Sequence, residues 1–303
     1  MFSKLKLGRL PVLMIALALV PSYTAPLSAN PEDAGISLAR QLASHRFVLL
    51  GEKHDNPEHH LIQARVLAEM IALGRRPAVV WEMVPRGKQA ALDDLADRGN
   101  VDPDRFAEAV GWADSGWPDW KYYRPIAEVA LTAGLPMVAG NIDRETVGRL
   151  ARNPESVDPD LVNALGLNVP LPDGVRDAVE EAVYRGHCEL VPRERLEPMI
   201  RVQVARDASL AEAMVRAAAT ADGAVLIAGG QHVRRDIGAG YHLIYRFEAR
   251  DAASLALLER GAEPPAVPDE TLSRKFDFVW FTKRAHPDRD YCAELAARFG
   301  KHK

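Results

Sequence analysis

Four short apolar runs, each ending in polar residues able to do chemistry, constrain the fold of this chain most strongly. They are RFVLLGEKH at 46–54, AVVWEM at 78–83, MVAGNID at 137–143 and AVLIAGGQH at 224–232. Each run is rich in Val, Ile and Leu and precedes a helical pattern, which is typical of a buried parallel strand. The sequence therefore predicts an α/β fold with a mainly parallel central sheet flanked by helices.

The polar residues that follow these runs are expected to lie close together. In an open parallel sheet all strands point the same way, and ligands bind at the edge formed by their carboxyl ends. We call this edge the rim. The residues that the four runs bring to it are Glu52, His54, Glu82, Asn141, Asp143 and His232.

The remaining segments predict an insertion and a sheet edge. Residues 152–174 contain four prolines among short helical pieces, which indicates a helical cap-like insertion. Residues 193–219 are predicted to be helical, with Gln203, Arg206 and Asp207 on one face. The segments HLIYRFEAR at 242–250 and FDFVWFT at 276–282 are predicted to be strands that complete one edge of the sheet.

The amino terminus predicts export. Three basic residues precede the apolar run 12–20, and small residues follow it as far as Ala29, which is typical of a secretory signal peptide at 1–29. One α/β domain would then occupy 30–303, in the periplasm or outside the cell. An uncleaved anchor is the other interpretation. No lipobox Cys follows the apolar run, so a lipid anchor is not indicated.

The cysteines and the net charge bear on compartment and partners. After export, Cys188 and Cys292 could pair in an oxidising environment, or both could remain free buried thiols, and the sequence leaves both interpretations open. The formal net charge of −4 argues against general nucleic-acid binding, which needs a basic surface.

The residues expected at the rim allow more than one chemistry. Glu52, His54, Glu82 and His232 could together bind a divalent transition metal, or act as general acid and base without a metal. For any one of them, a structural role as a satisfied buried polar group is an equal alternative.

Two further segments could contact a ligand. In GGQHVRRDIG, at 229–238, Arg234 and Arg235 could bind carboxylates, although a solvated basic turn is the simpler interpretation. The aromatic segment GWADSGWPDWKYYRP, at 111–125, could line a site for a flat apolar ligand and offer a tyrosine to iron. Packing in the core or a lid is the other interpretation of these aromatic residues.

Taken together, these motifs resemble the ChaN-like haem-binding uptake family, within a larger group that includes TraB, Tiki and erythromycin-esterase-like proteins. The matching elements are LLGEKHDNPEHH at 49–60, WEM at 81–83 with Pro85, WPDWKYYRPI at 117–126, GHC at 186–188, QVARDASLAEAM at 203–214 and AGGQHVRRDIG at 228–238. The resemblance implies a secreted haem-binding protein of bacterial iron acquisition, which pairs subunits around haem and serves an outer-membrane uptake system. Gln231, where the family commonly has Gly, and the missing lipobox Cys depart from the pattern.

The resemblance also implies a set of site residues. Carried over by motif position are Glu52, His54, Asp55, Glu82, Asn141, Arg144, Gln203, Arg206, Asp207, His232, Arg234 and Arg235. The candidate phenolate ligands of haem iron are Tyr122, Tyr123, Tyr184 and Tyr241, with Tyr123 preferred because it lies in WPDWKYYRPI. Haem binding without enzymatic activity is the leading hypothesis. A metal-dependent hydrolase using Glu52, His54, Glu82 and His232 is the alternative.

Overall fold

The computed structural model of the protein describes residues 31–99, 102–260 and 270–300. A six-stranded sheet with all neighbouring strands parallel forms its centre, which confirms the predicted fold class. The predicted signal peptide lies outside the described residues. The strands are β1 (Phe47–Glu52), β2 (Ala78–Pro85), β3 (Met137–Asn141), β4 (Ala224–Gly229), β5 (Ala252–Arg260) and β6 (Phe278–Lys283). They lie side by side in the order β3-β2-β4-β1-β5-β6.

Helices cover both faces of the sheet. In the described ranges they are α1 (Pro31–Ala43), α2 (Pro57–Ala72), α3 (Gln89–Arg98), α4 (Pro103–Val110), α5 (Trp120–Thr132), α6 (Arg144–Arg152), α7 (Pro159–Ala164), α8 (Asp173–Gly186), α9 (Glu197–Ala217), α10 (Ala239–Tyr241), α11 (Glu270–Lys275) and α12 (Tyr291–Gly300). None of these helices is long and apolar enough to cross a membrane. Local sequence explains where α2 begins, because Asn56 accepts a hydrogen bond from the Glu58 amide at 3.0 Å and Pro57 suits the first helical position.

Both faces of the central strands are buried, which explains the continuous apolar runs of the sequence. Successive side chains of a strand point to opposite faces. Val79 and Trp81 of β2 accordingly pack in one core cluster with residues of α1 to α5, whereas Ala78 and Val80 pack in a second cluster with α9 and α10. The sheet is therefore held between two helical layers.

The predicted cap-like insertion is present. We define the cap as α6, α7 and α8, which follow β3 and precede α9. Two small apolar clusters attach the cap to α9. One joins Leu150 and Leu165 to Ala205, and the other joins Val183 to Ile200. The cap thus packs on the same helix that carries three of the predicted site residues.

One predicted strand is wrong. Residues His242–Arg246 form a π-helical turn, and the strand that pairs with β1 begins later, at Ala252. The segment HLIYRF is apolar and short, so its periodicity does not distinguish a strand from a buried helical turn. The packing of His242 and Leu243 into the core selects the helical form. The strand predicted at 276–282 is confirmed as β6, and β5 and β6 complete one edge of the sheet.

A disulfide joins Cys188 to Cys292, which resolves the alternatives that the sequence leaves open. Cys188 lies just after α8, and Cys292 lies in the first turn of α12. The bond therefore connects the cap to the helix at the carboxyl end of the described chain.

His242 is buried and has no hydrogen-bond partner among the described residues, and replacing it should stabilise the protein. Both ring nitrogens of His242 are buried and unpaired, and burial, aided by Arg246, lowers its pKa to about 3. The unfolded chain gains a proton below its ordinary pKa of 6.5, whereas the folded chain gains it only near 3. Stability is therefore lost as the pH falls through this range.

We expect His242→Leu to remove this loss. The difference in free energy of unfolding between the variant and the wild type should therefore be about 2 kcal/mol larger at pH 5 than at pH 7.5. Urea unfolding at the two pH values measures the difference. His59, whose pKa burial lowers to about 4, contributes equally in both proteins and cancels. A gap between variant and wild type that does not change with pH would contradict the assignment.

Candidate functional site

The strand order brings four chemically important strand ends together. Strands β3, β2, β4 and β1 are consecutive neighbours, and Glu52 at the end of β1 lies in register with Gly229 at the end of β4. Glu82 is close to the end of β2, between β3 and β4. The rim therefore collects the side chains that the sequence analysis placed there.

Five ionisable side chains form one continuous line along the rim, which we call the ionic chain. It runs Glu52, His54, Glu82, His232, Asp207. Glu52 Oε1 lies 2.8 Å from His54 Nδ1, and His54 Nε2 lies 3.8 Å from Glu82 Oε2. Glu82 Oε1 then lies 3.1 Å from His232 Nε2, and His232 Nδ1 lies 2.6 Å from Asp207 Oδ1. Glu82 thus bridges two histidines that come from different strands.

The Glu82–His232 pair is held in its charged form. Burial disfavours the Glu82 carboxylate, but His232, His54 and the Gly229 amide outweigh burial and lower its pKa to about 2. Burial also disfavours the His232 imidazolium, but Glu82 and Asp207 raise its pKa to about 10. Burial raises the pKa of Asp207 as well. Both ring nitrogens of His232 are engaged, so this side chain offers no free nitrogen to a ligand.

At the β1 end, His54, His60 and Tyr123 all face Oε1 of Glu52, whereas Oε2 is buried without a partner among the described residues. Burial opposes its ionisation, but His60 and His54 outweigh burial and hold the pKa of Glu52 well below its usual range. His60 Nε2 lies 3.3 Å from Glu52 Oε1, and the Tyr123 hydroxyl donates to the same oxygen at 2.5 Å. Glu52 is therefore an anchored carboxylate that orients His54 rather than a surface acid.

The position of Tyr123 disfavours the phenolate role predicted for it. The side chain is fully buried, and burial together with the Glu52 carboxylate raises its pKa far above the usual value. A phenolate here would lie next to a buried anion. Tyr123 instead supplies a hydrogen bond to Glu52, and it is not retained among the candidate iron ligands.

His54 is the side chain of the ionic chain that faces outward. Its side chain is 32% exposed, compared with 9% for His232. The indole of Trp117 packs against the His54 ring at 4.8 Å between centroids and donates to the Met83 carbonyl at 3.1 Å. A Cβ atom on Gly229 would lie only 2.8 Å from His54 Nε2, so the glycine makes room for the ring. Burial would lower the pKa of His54, but Glu82 and Glu52 outweigh it and raise the pKa.

Helix α9 supports the other end of the ionic chain. Gln203 donates to Asp207 Oδ2 at 3.0 Å, which fixes the carboxylate against His232. Arg206, next to Asp207, makes no hydrogen bond or ion pair with any residue in the described part of the chain, and its Nε is buried without a partner. A guanidinium without a partner can bind an anion such as a carboxylate.

The residues that follow β3 have different roles. Asn141 is buried, donates to the Glu82 carbonyl at 2.9 Å and accepts from the Ile142 amide at 2.9 Å, so it fixes the ends of β2 and β3. Asp143 accepts from the Gly87 amide at 2.9 Å. Arg144 begins α6 and is exposed, which leaves its charge available at this side of the rim.

Three other predicted site residues form hydrogen bonds and ion pairs with side chains of the protein itself. Arg234 is buried and pairs with Asp236 through two hydrogen bonds of 2.8 and 2.5 Å. Arg235 pairs with Asp277 at 2.5 Å, at the start of β6. Asp55 accepts hydrogen bonds from Arg289, which precedes α12, and from Tyr291, which begins α12. The predicted carboxylate-binding role of the two arginines would require these pairs to open.

The remaining predicted tyrosines are half-buried, and none of them joins the ionic chain. Tyr122 stacks on His60 at 6.1 Å between ring centroids, and Arg193 lies 4.0 Å over the ring of Tyr184. Tyr241 packs against Tyr245, which the sequence analysis did not single out and which is 64% exposed.

The described residues contain no group of three or more His, Cys, Asp or Glu side chains arranged to hold one metal ion. The four residues proposed as metal ligands, Glu52, His54, Glu82 and His232, instead face one another as acid–base pairs. The sequence analysis did not single out His60 and Trp117 individually as site residues. His60 lies in PEHH, directly after the β1 exit, and this position is the signal that could have identified it.

A parallel α/β sheet with ionisable side chains gathered at the strand carboxyl ends defines a class of proteins that bind or transform ligands at that edge. The model of the family described as haem-binding uptake, Tiki superfamily, ChaN, matches residues 38–243. The chain therefore belongs to the ChaN family of haem-binding uptake proteins. A comparison with curated proteins finds no significant match.

One solved structure shares the fold, and two others are more distantly similar. ChaN of Campylobacter jejuni, in a structure of cofacial haem binding, has a TM-score of 0.64 and 19% identity, covering 80% of this chain and 89% of that one. The type III effector HopBA1 has a TM-score of 0.45 and 12% identity, and the match covers 82% of this chain and 93% of that one. A mutant of the erythromycin esterase EreC has a TM-score of 0.40 and 16% identity, and the match covers 75% of this chain and 73% of that one. The first likeness shows a shared fold, and the other two are too loose to carry a functional argument.

Proposed function

We propose that this protein is exported and binds haem at the rim, as part of bacterial haem or iron uptake. His54 carries the proposal. Its Nδ1 is held by Glu52 at 2.8 Å, whereas its Nε2 makes no hydrogen bond within the described part of the chain and lies 3.8 Å from Glu82 Oε2, on a side chain that is 32% exposed. A carboxylate on one ring nitrogen fixes the imidazole so that the other nitrogen can bind a metal.

The groups around His54 fit the needs of haem. Haem requires a nitrogen, oxygen or sulfur donor for iron, an apolar surface for the porphyrin and cations for the propionates. His54 is the donor we propose, and Trp117 offers an apolar face beside it. Among the predicted site arginines, Arg206 and Arg144 are the two that make no hydrogen bond or ion pair with other described residues. Haem would be cargo here, and His54 must lose a proton before it binds iron.

A haem titration tests the proposal. The mature protein, beginning at Asn30, is titrated with haemin while the Soret band is followed, and transition metals are measured in the same sample. We expect a Soret shift that saturates at a fixed haem-to-protein ratio, without stoichiometric zinc or manganese. No Soret change together with stoichiometric metal would contradict the proposal.

Hydrolysis is a second candidate, favoured by the ionic chain. Glu82 is shared by two histidines of raised pKa, an arrangement able to accept and return protons at the rim. Ester and amide substrates offered to metal-free and metal-supplemented protein test this candidate. Turnover that depends on Glu82, in the absence of haem binding, would make hydrolysis the better account.

Export is a prediction of its own. The basic residues before Val12 and the apolar run to Val20 should direct the chain across the inner membrane. The Cys188–Cys292 disulfide supports this, because such bonds persist in oxidising compartments. We expect Edman sequencing of the purified mature protein to begin near Asn30. A cytoplasmic protein that retains Met1 would contradict it.

We further propose that two subunits pair around haem and pass it to or from an outer-membrane uptake system. The support is family membership and a relative named for cofacial haem binding. Sedimentation velocity with and without haemin tests the pairing, for which we expect a shift from monomer to dimer on haem addition. An unchanged sedimentation coefficient at saturating haem would contradict it.

A further inference from the structure

The disulfide lies where it can control the rim. Residues 284–292, which we call the strap, run from the end of β6 into the first turn of α12 and end at Cys292. The strap contacts the loop between β1 and α2. Arg289 donates to Asp55 Oδ2 at 2.9 Å, and Tyr291 donates to the same oxygen at 2.7 Å. Lys53 donates to the Tyr291 hydroxyl at 2.7 Å.

These contacts lie immediately beside the proposed iron ligand. Lys53 and Asp55 are the two chain neighbours of His54, so the strap holds the side chains on both sides of that histidine. His286 Nε2 also lies 3.2 Å from the Asp55 carbonyl oxygen. A change in the position of the strap would therefore reach His54 directly, through its two chain neighbours.

The other cysteine is attached to the opposite half of the rim. Cys188 follows α8, whose Val179 and Val183 pack with Ile200 of α9 and with Ile237 of the loop after β4. Helix α9 also carries Asp207, the partner of His232. The disulfide thus closes a ring of contacts around the rim. The ring passes from the β1–α2 loop through the strap and the cap to α9, and returns along the ionic chain.

The disulfide is accessible from the side of Cys292. Cys292 is exposed, and most described side chains of α12 are exposed too. Cys188 and Glu189 both have left-handed backbone conformations, with φ of 53° and 60°, which residues other than glycine seldom adopt. Exposed disulfides are the ones most open to exchange with thiols. Reduction would let this segment of the cap relax.

We propose that Cys188–Cys292 is a redox clasp that controls how fast ligand leaves the rim. This inference rests on the proposed haem function. A dithiol reductant attacks one sulfur to give a mixed disulfide, and its second thiolate then displaces the other cysteine. Two cysteine thiols and one oxidised dithiol result, so two electrons and two protons pass to the protein. In the reduced protein, polar contacts alone hold the strap against the β1–α2 loop, and the cap moves independently of the strap.

Hydrogen exchange read by mass spectrometry tests the clasp without haem. We compare oxidised protein, dithiol-reduced and alkylated protein, and the Cys188→Ser/Cys292→Ser variant. Amides of residues 53–56 and 284–298 should exchange faster in both open forms, whereas amides of β4 should not change. The β4 amides show that each form remains folded.

Haem release to an excess of a haem-scavenging apoprotein gives the second measurement. We expect release on the order of tenfold faster from the open forms, equivalent to about 1.4 kcal/mol. Dithiol treatment of the double serine variant is the matched control, and it should have no effect, since a reductant that acted on haem iron would change this variant too.

The two measurements separate failure of the clasp from failure of haem binding. Faster exchange in the strap with no haem binding would support redox control of the strap and overturn haem as the ligand. Unchanged exchange in residues 53–56 and 284–298 after reduction would overturn the clasp, whatever the rate of haem release.

Discussion

Replacing Glu82 by alanine should lower the free energy of unfolding by about 3 to 5 kcal/mol at pH 7, because it removes one of the two carboxylate partners of a buried cation. Glu82 is 2% exposed, and the imidazolium of His232 lies 3.1 Å from it. The variant would also leave the Gly229 amide without its acceptor. Urea unfolding followed by circular dichroism measures the change.

The pH dependence of this effect has a definite sign. The pKa of Glu82 is lowered from 4.5 to about 2, so its stabilising contribution is present above pH 4.5 and is lost as the pH falls toward 2. The gap between wild type and Glu82→Ala should therefore narrow below pH 4.5. Glu145→Ala is the matched control, because Glu145 is 76% exposed in its pair with Arg149, and such pairs contribute about 0 to 1 kcal/mol. Equal effects of the two variants would contradict the charged pair.

Replacing His54 by alanine should weaken haem binding on the order of 100-fold, a loss at the upper end of what supporting residues of metal sites produce. The substitution removes the donor nitrogen and leaves Glu52 with its contacts to Tyr123 and His60. Competition titration of haem against an apoprotein of known affinity measures the loss. Added imidazole should restore part of the affinity, because the small ligand can occupy the vacated space.

A matched control exists at the other end of the same strand. His45 precedes β1, pairs with Asp251 at 3.0 Å and lies away from the rim. His45→Ala should bind haem as the wild type does. If His54→Ala and His45→Ala bind haem with equal affinity, His54 is not the ligand, and exposed Tyr245 becomes the next residue to replace.

The convergence at the rim was predictable because it follows from chain direction alone. Once the four apolar runs are parallel strands, their carboxyl ends share one edge. The pattern of apolar runs does not predict the order in which the strands lie in the sheet. The position of β4 between β2 and β1 is what makes Glu82 the bridge between His54 and His232, and only packing of the helical layers decides that order.

The hydrogen-bond partners of the site residues were less predictable from the sequence than their positions in the fold. Tyr123 and Arg234 lie in the segments that the sequence indicated, yet one hydroxyl is buried against Glu52 and one guanidinium is paired with Asp236. Both partners are defined by folded geometry, because neither pairing follows from a strand or helix repeat. The misassigned strand at 242–250 has a similar cause, since burial against the core overrides weak local preference.

The location of iron in the haem complex tests the central claim most directly. Crystals of the mature protein soaked with haemin, measured at the iron absorption edge, give the iron position by anomalous scattering. We predict an iron peak within coordination distance of His54 Nε2, with the Trp117 indole beside the porphyrin. An iron peak away from the rim, such as one beside Tyr241 and Tyr245, would contradict haem binding at the strand carboxyl ends.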